Sequence, residues 1–176
     1  MRVPTTLITL CALCACFVMS ASAFAEMTPT DLQVAARALS FMERPLAGSV
    51  RVGILYSPNN PRSVREAEAL RDLLGTGLKA GKLELRPFLV NIRDAATAKV
   101  DLFFLAGFVG AAEANAARIS VRKMPCVTTD IAQVEGGACL MGVRSSPKVQ
   151  IMINRAAAKD SGIAFATVFR VMITEI

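Results

Sequence analysis

The stretch "VRVGILYSPNNPRSVREAEALRDLLG", Val50 to Gly75, decides how the rest of the chain is read. Val50 to Tyr56 is a β-rich run between turn formers, which predicts a strand. "SPNNPRS", Ser57 to Ser63, is rich in proline and asparagine and predicts a loop. Val64, Ala67, Leu70, Leu73 and Leu74 then recur at helical spacing and stop at Gly75. A strand feeding a helix through a polar loop is the unit from which parallel sheets are built.

Downstream the unit repeats. A strand over Leu83 to Val90 follows a Gly-Lys turn, and "VDLFFLA", Val100 to Ala106, is apolar throughout, as a central strand covered on both faces must be. A helix from about Gly110 to Ser120 leads to a strand over Met124 to Thr129. The rhythm then changes, because "ACLMGV" (Ala138 to Val143) and "KVQIMIN" (Lys148 to Asn154) flank the turn "RSSP" and predict a hairpin. Asn154 caps "RAAAKDS", Gly162 ends it, and "FATVFRVMITEI" predicts a last apolar-faced helix. Upstream, Thr28-Pro29-Thr30-Asp31 supplies an N-cap, a first-turn proline and an acid for the helix dipole. Leu32, Ala35, Ala36, Leu39 and Met42 extend that helix to about Glu43, before Pro45. The expectation is an α/β fold in a single three-layer domain, its sheet mainly parallel with an antiparallel hairpin edge.

Residues 1–25 read as a cleaved signal peptide. Arg2 precedes an apolar run of about 13 residues, Leu7 to Met19, and Ala21-Ser22-Ala23 and Ala23-Phe24-Ala25 offer cleavage points. The run is shorter than the roughly 20 residues that span a bilayer. Cleavage before Glu26 leaves residues 26–176 as one exported, periplasmic domain of about 150 residues, enough for one core. Losing Arg2 takes the formal charge of +6 to +5. Basic residues are interspersed with acids, which gives no footing for nucleic acid.

Cleavage also removes Cys11, Cys14 and Cys16, leaving Cys126 and Cys139. An even pair in an exported chain favours a disulfide. Zinc commonly asks for four ligands, and the chain has no histidine. The bridge would close a loop of about 14 residues, a stabilisation of roughly 3 kcal/mol, and lock the sheet edge together with the loop Asp130–Glu135. A redox-sensitive switch is the alternative role for the same pair.

Without histidine, Ser-His-Asp and Cys-His devices are excluded. Asp101, Glu113, Asp130 and Glu135 are isolated acids suited to caps and surface charge. No dinucleotide or phosphate-loop fingerprint follows the first strand, so neither a catalytic residue, a metal nor a cofactor is expected. The loop after that strand still occupies the position where open parallel sheets bind ligands. Ser57, Asn59, Asn60 and Arg62 are therefore candidates to hold a small polar molecule, with an ordinary Asx/Pro turn as the plainer account. A homodimer is left open.

Taken together, "ALSFMERP" (38–45), "RVGILYS" (51–57), "PCVTTD" (125–130), "GGACLMGV" (136–143) and "KVQIMINRAAAKDSGIAFATVFRVM" (148–172) resemble the YfiR/HmsC family of small periplasmic regulators. The resemblance implies a non-catalytic protein that restrains the periplasmic part of an inner-membrane diguanylate cyclase, lowering cyclic-di-GMP and opposing biofilm formation. It makes Phe41 and Arg44 candidates for the partner surface, although Arg44 stands where tryptophan is usual. It also puts a second cysteine pair near Gly53 and Val100, where this chain has none. "VGILYSPNNPRSVREAEALRDLL" and "INRAAAKDSGI" are similar as well to a lobe of transporter substrate-binding proteins, which implies a small-ligand-binding module.

Overall fold

The computed structural model describes residues 26–117, 119 and 123–176. The expected signal peptide with its three cysteines lies outside them, as do residues 118 and 120–122; the helix expected to reach Ser120 ends earlier, at Ala116, with Ala117 as its C-cap.

Helix α1 (Pro29–Leu39) starts where expected. The Asp31 amide donates to Thr28 Oγ1 at 3.2 Å, and the Thr28 amide donates to Asp31 Oδ2 at 2.8 Å, a reciprocal capping box. The second oxygen of Asp31 accepts the Ser145 amide at 2.7 Å and so ties the helix to a turn 114 residues on. Burial pushes the Asp31 carboxyl up, but hydrogen bonds from Thr28 and Ser145 outweigh it and hold it below its ordinary 3.8. The helix stops short of Glu43 because the chain beyond Ser40 is engaged elsewhere. The Ala166 amide donates to Phe41 O and the Glu43 amide to Ala164 O, both at 2.9 Å.

Strand β1 (Gly48–Tyr56) and helix α2 (Pro61–Leu74) match the reading of the opening stretch, with Asn60 as the N-cap. A strand that composition did not announce, β2 (Leu78–Ala80), turns at Gly81 into β3 (Leu83–Asn91). After a single 3-10 turn over Ile92–Asp94 come β4 (Leu102–Leu105), α3 (Ala111–Ala116) and β5 (Cys126–Thr128). Next are α4 (Ile131–Glu135), β6 (Met141–Arg144), β7 (Gln150–Ile153) and α5 (Arg155–Ser161), which ends at left-handed Gly162.

The expected last helix is corrected to one turn, α6 (Thr167–Arg170), and a strand, β8 (Thr174–Glu175). Val168, Val171, Ile173 and Thr174 are β-branched and weak helix formers. β7 offers them a free edge, which β8 takes through Met152 opposite Thr174 and Ile153 opposite Glu175.

Among the described residues the sheet has eight strands in the order β2-β3-β1-β4-β5-β6-β7-β8. β3, β1, β4, β5 and β6 are mutually parallel, β2 and β7 run against their neighbours, and β8 follows β7. This is the α/β domain expected, with the β6–β7 hairpin near one edge and helices on both faces.

Alternation along the strands makes two cores. Val50, Val52 and Ile54 of β1, Phe104 of β4 and Met141 of β6 face α1, α2, α5 and α6. Leu55, Phe103, Leu105 and Cys126 face the other way, toward α3 and the Cys139 segment. α4 covers Gly142 on that second face, where an added Cβ would lie 2.9 Å from Ile131 and Val134.

Cys126 and Cys139 are joined, with Cα atoms 5.1 Å apart. Two details are corrected. The segment Asp130–Glu135 is not a loop but the capped helix α4, and the bridge lies between the amino ends of two interior strands rather than at the edge. β5 and β6 are parallel neighbours, so their amino ends meet on one side of the sheet and bring the thiols together. Both residues are buried. The positions where the family resemblance puts a second pair are also in contact, since a Cβ on Gly53 would lie 3.2 Å from Val100 and 2.9 Å from Phe103.

Candidate functional site

From β1 the chain runs outward through α2 to β3, then returns to place β4 on the other side of β1. The strand order therefore reverses between β1 and β4, and the loops at their carboxyl ends diverge around a crevice. Three segments meet there: Ser57–Asn60 after β1, Ala106–Gly110 after β4, and Thr129-Asp130 after β5.

Side chains tie these segments together. Asn60 Oδ1 accepts the Arg62 amide at 3.0 Å, capping α2, while its Nδ2 donates to Phe108 O at 2.8 Å across the reversal. Phe108 has φ +60, a conformation uncommon for an aromatic residue. The Arg62 guanidinium lies 4.0 Å from the centre of the Phe108 ring, within cation–π range. On the far side, Gln133 Nε2 donates to Ala106 O at 3.2 Å and Gln133 Oε1 accepts the Thr128 hydroxyl at 2.7 Å. The Asp130 amide donates to Thr128 Oγ1 at 3.1 Å, and Asp130 caps α4.

Burial separates this end from the rest. Asp31, Ser57, Ser63, Glu66, Thr128, Thr129, Gln133, Asn154 and Ser161 are the buried polar side chains among the described residues. Six of these nine, Ser57, Ser63, Glu66, Thr128, Thr129 and Gln133, surround the reversal. Buried polar groups cost free energy unless paired, so their concentration at one end calls for an explanation. Glu66 is the extreme case, 7% exposed, with Oε2 lacking a hydrogen-bond partner. Burial pushes its carboxyl above the ordinary 4.5, the Gly107 amide opposes that, and the charges of Glu26 and Asp130 add to it.

Of the residues singled out from sequence, Asn60 and Arg62 join the reversal directly. Ser57 is buried there, and its amide donates to Ser63 Oγ at 3.1 Å. Asn59 is exposed at the rim. The plainer Asx-turn account also holds for Asn60, which caps α2 and bridges the loops at once. Glu66, Gly107, Phe108, Thr128 and Gln133 were not foreseen. The signal for Glu66 was an acid on the stripe Ser63, Ala67, Leu70, Leu74 that α2 turns toward the sheet.

Phe41 and Arg44 lie elsewhere. The Phe41 ring stacks on Phe169 with centroids 4.8 Å apart, and Arg44 is exposed beside it in sequence. An open pocket of about 300 Å³ adjoins this region, lined in part by Glu43, Arg155, Lys159, Phe165 and Arg170. Asp101 pairs with Arg51 at 2.9 Å near the start of β4 and takes no part in the reversal. Among the described residues no three acids or cysteines converge on a metal position, and no helix is long and apolar enough to cross a membrane.

No family model and no curated protein matches the chain. Solved structures do. One is the ABC domain from Streptococcus pneumoniae in complex with L-Trp, at TM-score 0.52 and 15% identity, covering 82% of this chain and 60% of that one. Another is a conserved domain protein from Vibrio cholerae O1 biovar El Tor strain N16961, at TM-score 0.51 and 15% identity, covering 86% of this chain and 61% of that one. The chain spans about three fifths of the length of these structures, and the likeness is one of fold.

Proposed function

We propose that this domain binds a small polar molecule in the crevice at the strand-order reversal and carries out no reaction on it. The observation that carries the reading is the gathering of six buried polar side chains at that one end of the sheet. Open α/β sheets bind ligands at this place, and the pneumococcal neighbour was solved with an amino acid, L-Trp. Thermal denaturation with a metabolite panel that includes L-tryptophan tests it. A ligand at 100 times its Kd raises stability by about 2.7 kcal/mol, and Asn60→Ala should weaken the same ligand in calorimetric titration. A panel that leaves the melting temperature unmoved at saturating concentrations removes the reading.

A second reading follows the family resemblance, a periplasmic regulator restraining a membrane diguanylate cyclase. It is favoured by the exposed Val168, Val171 and Met172, which adjoin Phe169 and, through it, Phe41. On this reading the cyclase co-purifies with the domain, Val171→Glu breaks the association, and deletion of the gene raises cyclic-di-GMP. Unchanged cyclic-di-GMP after deletion sinks it.

A further inference from the structure

Glu66 identifies the chemistry of the ligand, given the crevice reading above. It lies in the second turn of α2 and reaches toward the loop after β4. A Cβ on Gly107 would fall 2.6 Å from its Oε2, so the absence of a side chain there leaves the carboxyl its place against that loop. Among the described residues Glu66 Oε2 is the buried side-chain oxygen or nitrogen without a hydrogen-bond partner. The charges that act on it are both of its own sign: Glu26, just before α1, and Asp130, after β5. One turn earlier on the helix, Arg62 lies on the Phe108 ring. Glu66 is thus a buried acid with an acceptor to spare.

We propose that Glu66 receives the ammonium group of a small primary amine bound in the crevice. An ammonium supplies an N–H donor for Oε2 and a positive charge next to a carboxyl on which Glu26 and Asp130 act with its own sign. A hydroxyl in the same place supplies only the donor. An anion supplies neither. Because charge-assisted hydrogen bonds exceed neutral ones by about a factor of two in energy, an amine should bind about tenfold tighter than the matching alcohol.

The test is calorimetric titration of the purified protein with putrescine, 2-phenylethylamine and L-phenylalanine. Each is compared with its hydroxyl counterpart: 1,4-butanediol, 2-phenylethanol and 3-phenyllactate. The expected result is at least one amine preferred about tenfold, with the preference lost in Glu66→Gln, which keeps the side chain's shape. Should that variant fold poorly, Gly107→Ala gives the second measurement. Its methyl takes the space of Oε2, so it must reduce amine affinity more than alcohol affinity and shrink the preference of about tenfold. Equal binding of amine and alcohol, or a preference that survives both substitutions, overturns the assignment while leaving the crevice reading intact. If none of the six compounds binds but another metabolite does, the assignment again falls alone. If nothing binds, both fall together.

Discussion

At the amino ends of β4, β5 and β6 the chain is held by the Cys126–Cys139 bond, by Phe103 packed against Gly53 and Val100, and by Arg51 on Asp101. At the carboxyl ends of β1, β4 and β5 it is held by hydrogen bonds among Asn60, Phe108, Thr128 and Gln133, and one buried oxygen is left over. The same short strands therefore carry a covalent, apolar end and a polar, exchangeable one. The first kind of contact fixes geometry without recognising anything. The second can be re-paired by an incoming molecule, at a cost in the stability of the empty protein.

The largest effect should come from the sealed end. Cys126→Ser combined with Cys139→Ser removes a link across 13 residues of sequence, and about 3 kcal/mol of stability should go with it. Thermal denaturation reads this directly, and added reductant should lower the wild type toward the double variant without moving the variant. Next, Gly53→Ala drives a methyl to 2.9 Å from the buried Phe103 ring. Overpacking of this kind costs about 2 kcal/mol, measured by urea unfolding.

The smallest effect should come from the open end, with the opposite sign. Glu66→Gln should stabilise the ligand-free protein by about 1 kcal/mol at neutral pH, the order of one unpaired buried polar group. The sign follows from linkage. The folded state raises the Glu66 carboxyl above 4.5, so its proton is held more tightly folded than unfolded. The stability this gives is complete below 4.5 and is lost as pH rises through the raised value. The gap between variant and wild type should open as pH climbs and close in acid. A loss of stability as large as that of the double cysteine variant would abolish the contrast between the two ends.

Much of the sealed end was legible in the sequence. Val50 to Gly75, the apolar run at Leu102 to Leu105 and the hairpin around "RSSP" each carry a local pattern that packing did not override. β2 was not legible, because Leu78, Lys79 and Ala80 hold neither length nor β-branched composition. α4 is five residues long and was masked by the glycine pair after it. The tail misled because Phe169 and Met172 keep helical spacing, whereas a vacant strand edge decided the outcome. The site was half legible. Ser57, Asn60 and Arg62 belong to one recognisable loop, but Phe108 meets Asn60 across 48 residues and Gln133 meets Ala106 across 27. No single stretch of sequence contains that meeting.

The brevity of the outermost strands bears on how molecules of this protein behave when crowded. β8 has two residues and β2 has three, so each rim offers a neighbouring copy only a few unpaired amides to template on. Beyond Leu85 the outer side of β3 runs past β2, and there Pro87 contributes no amide hydrogen to a would-be docking strand. That gap in the row of donors weakens strand-to-strand docking between copies along this rim.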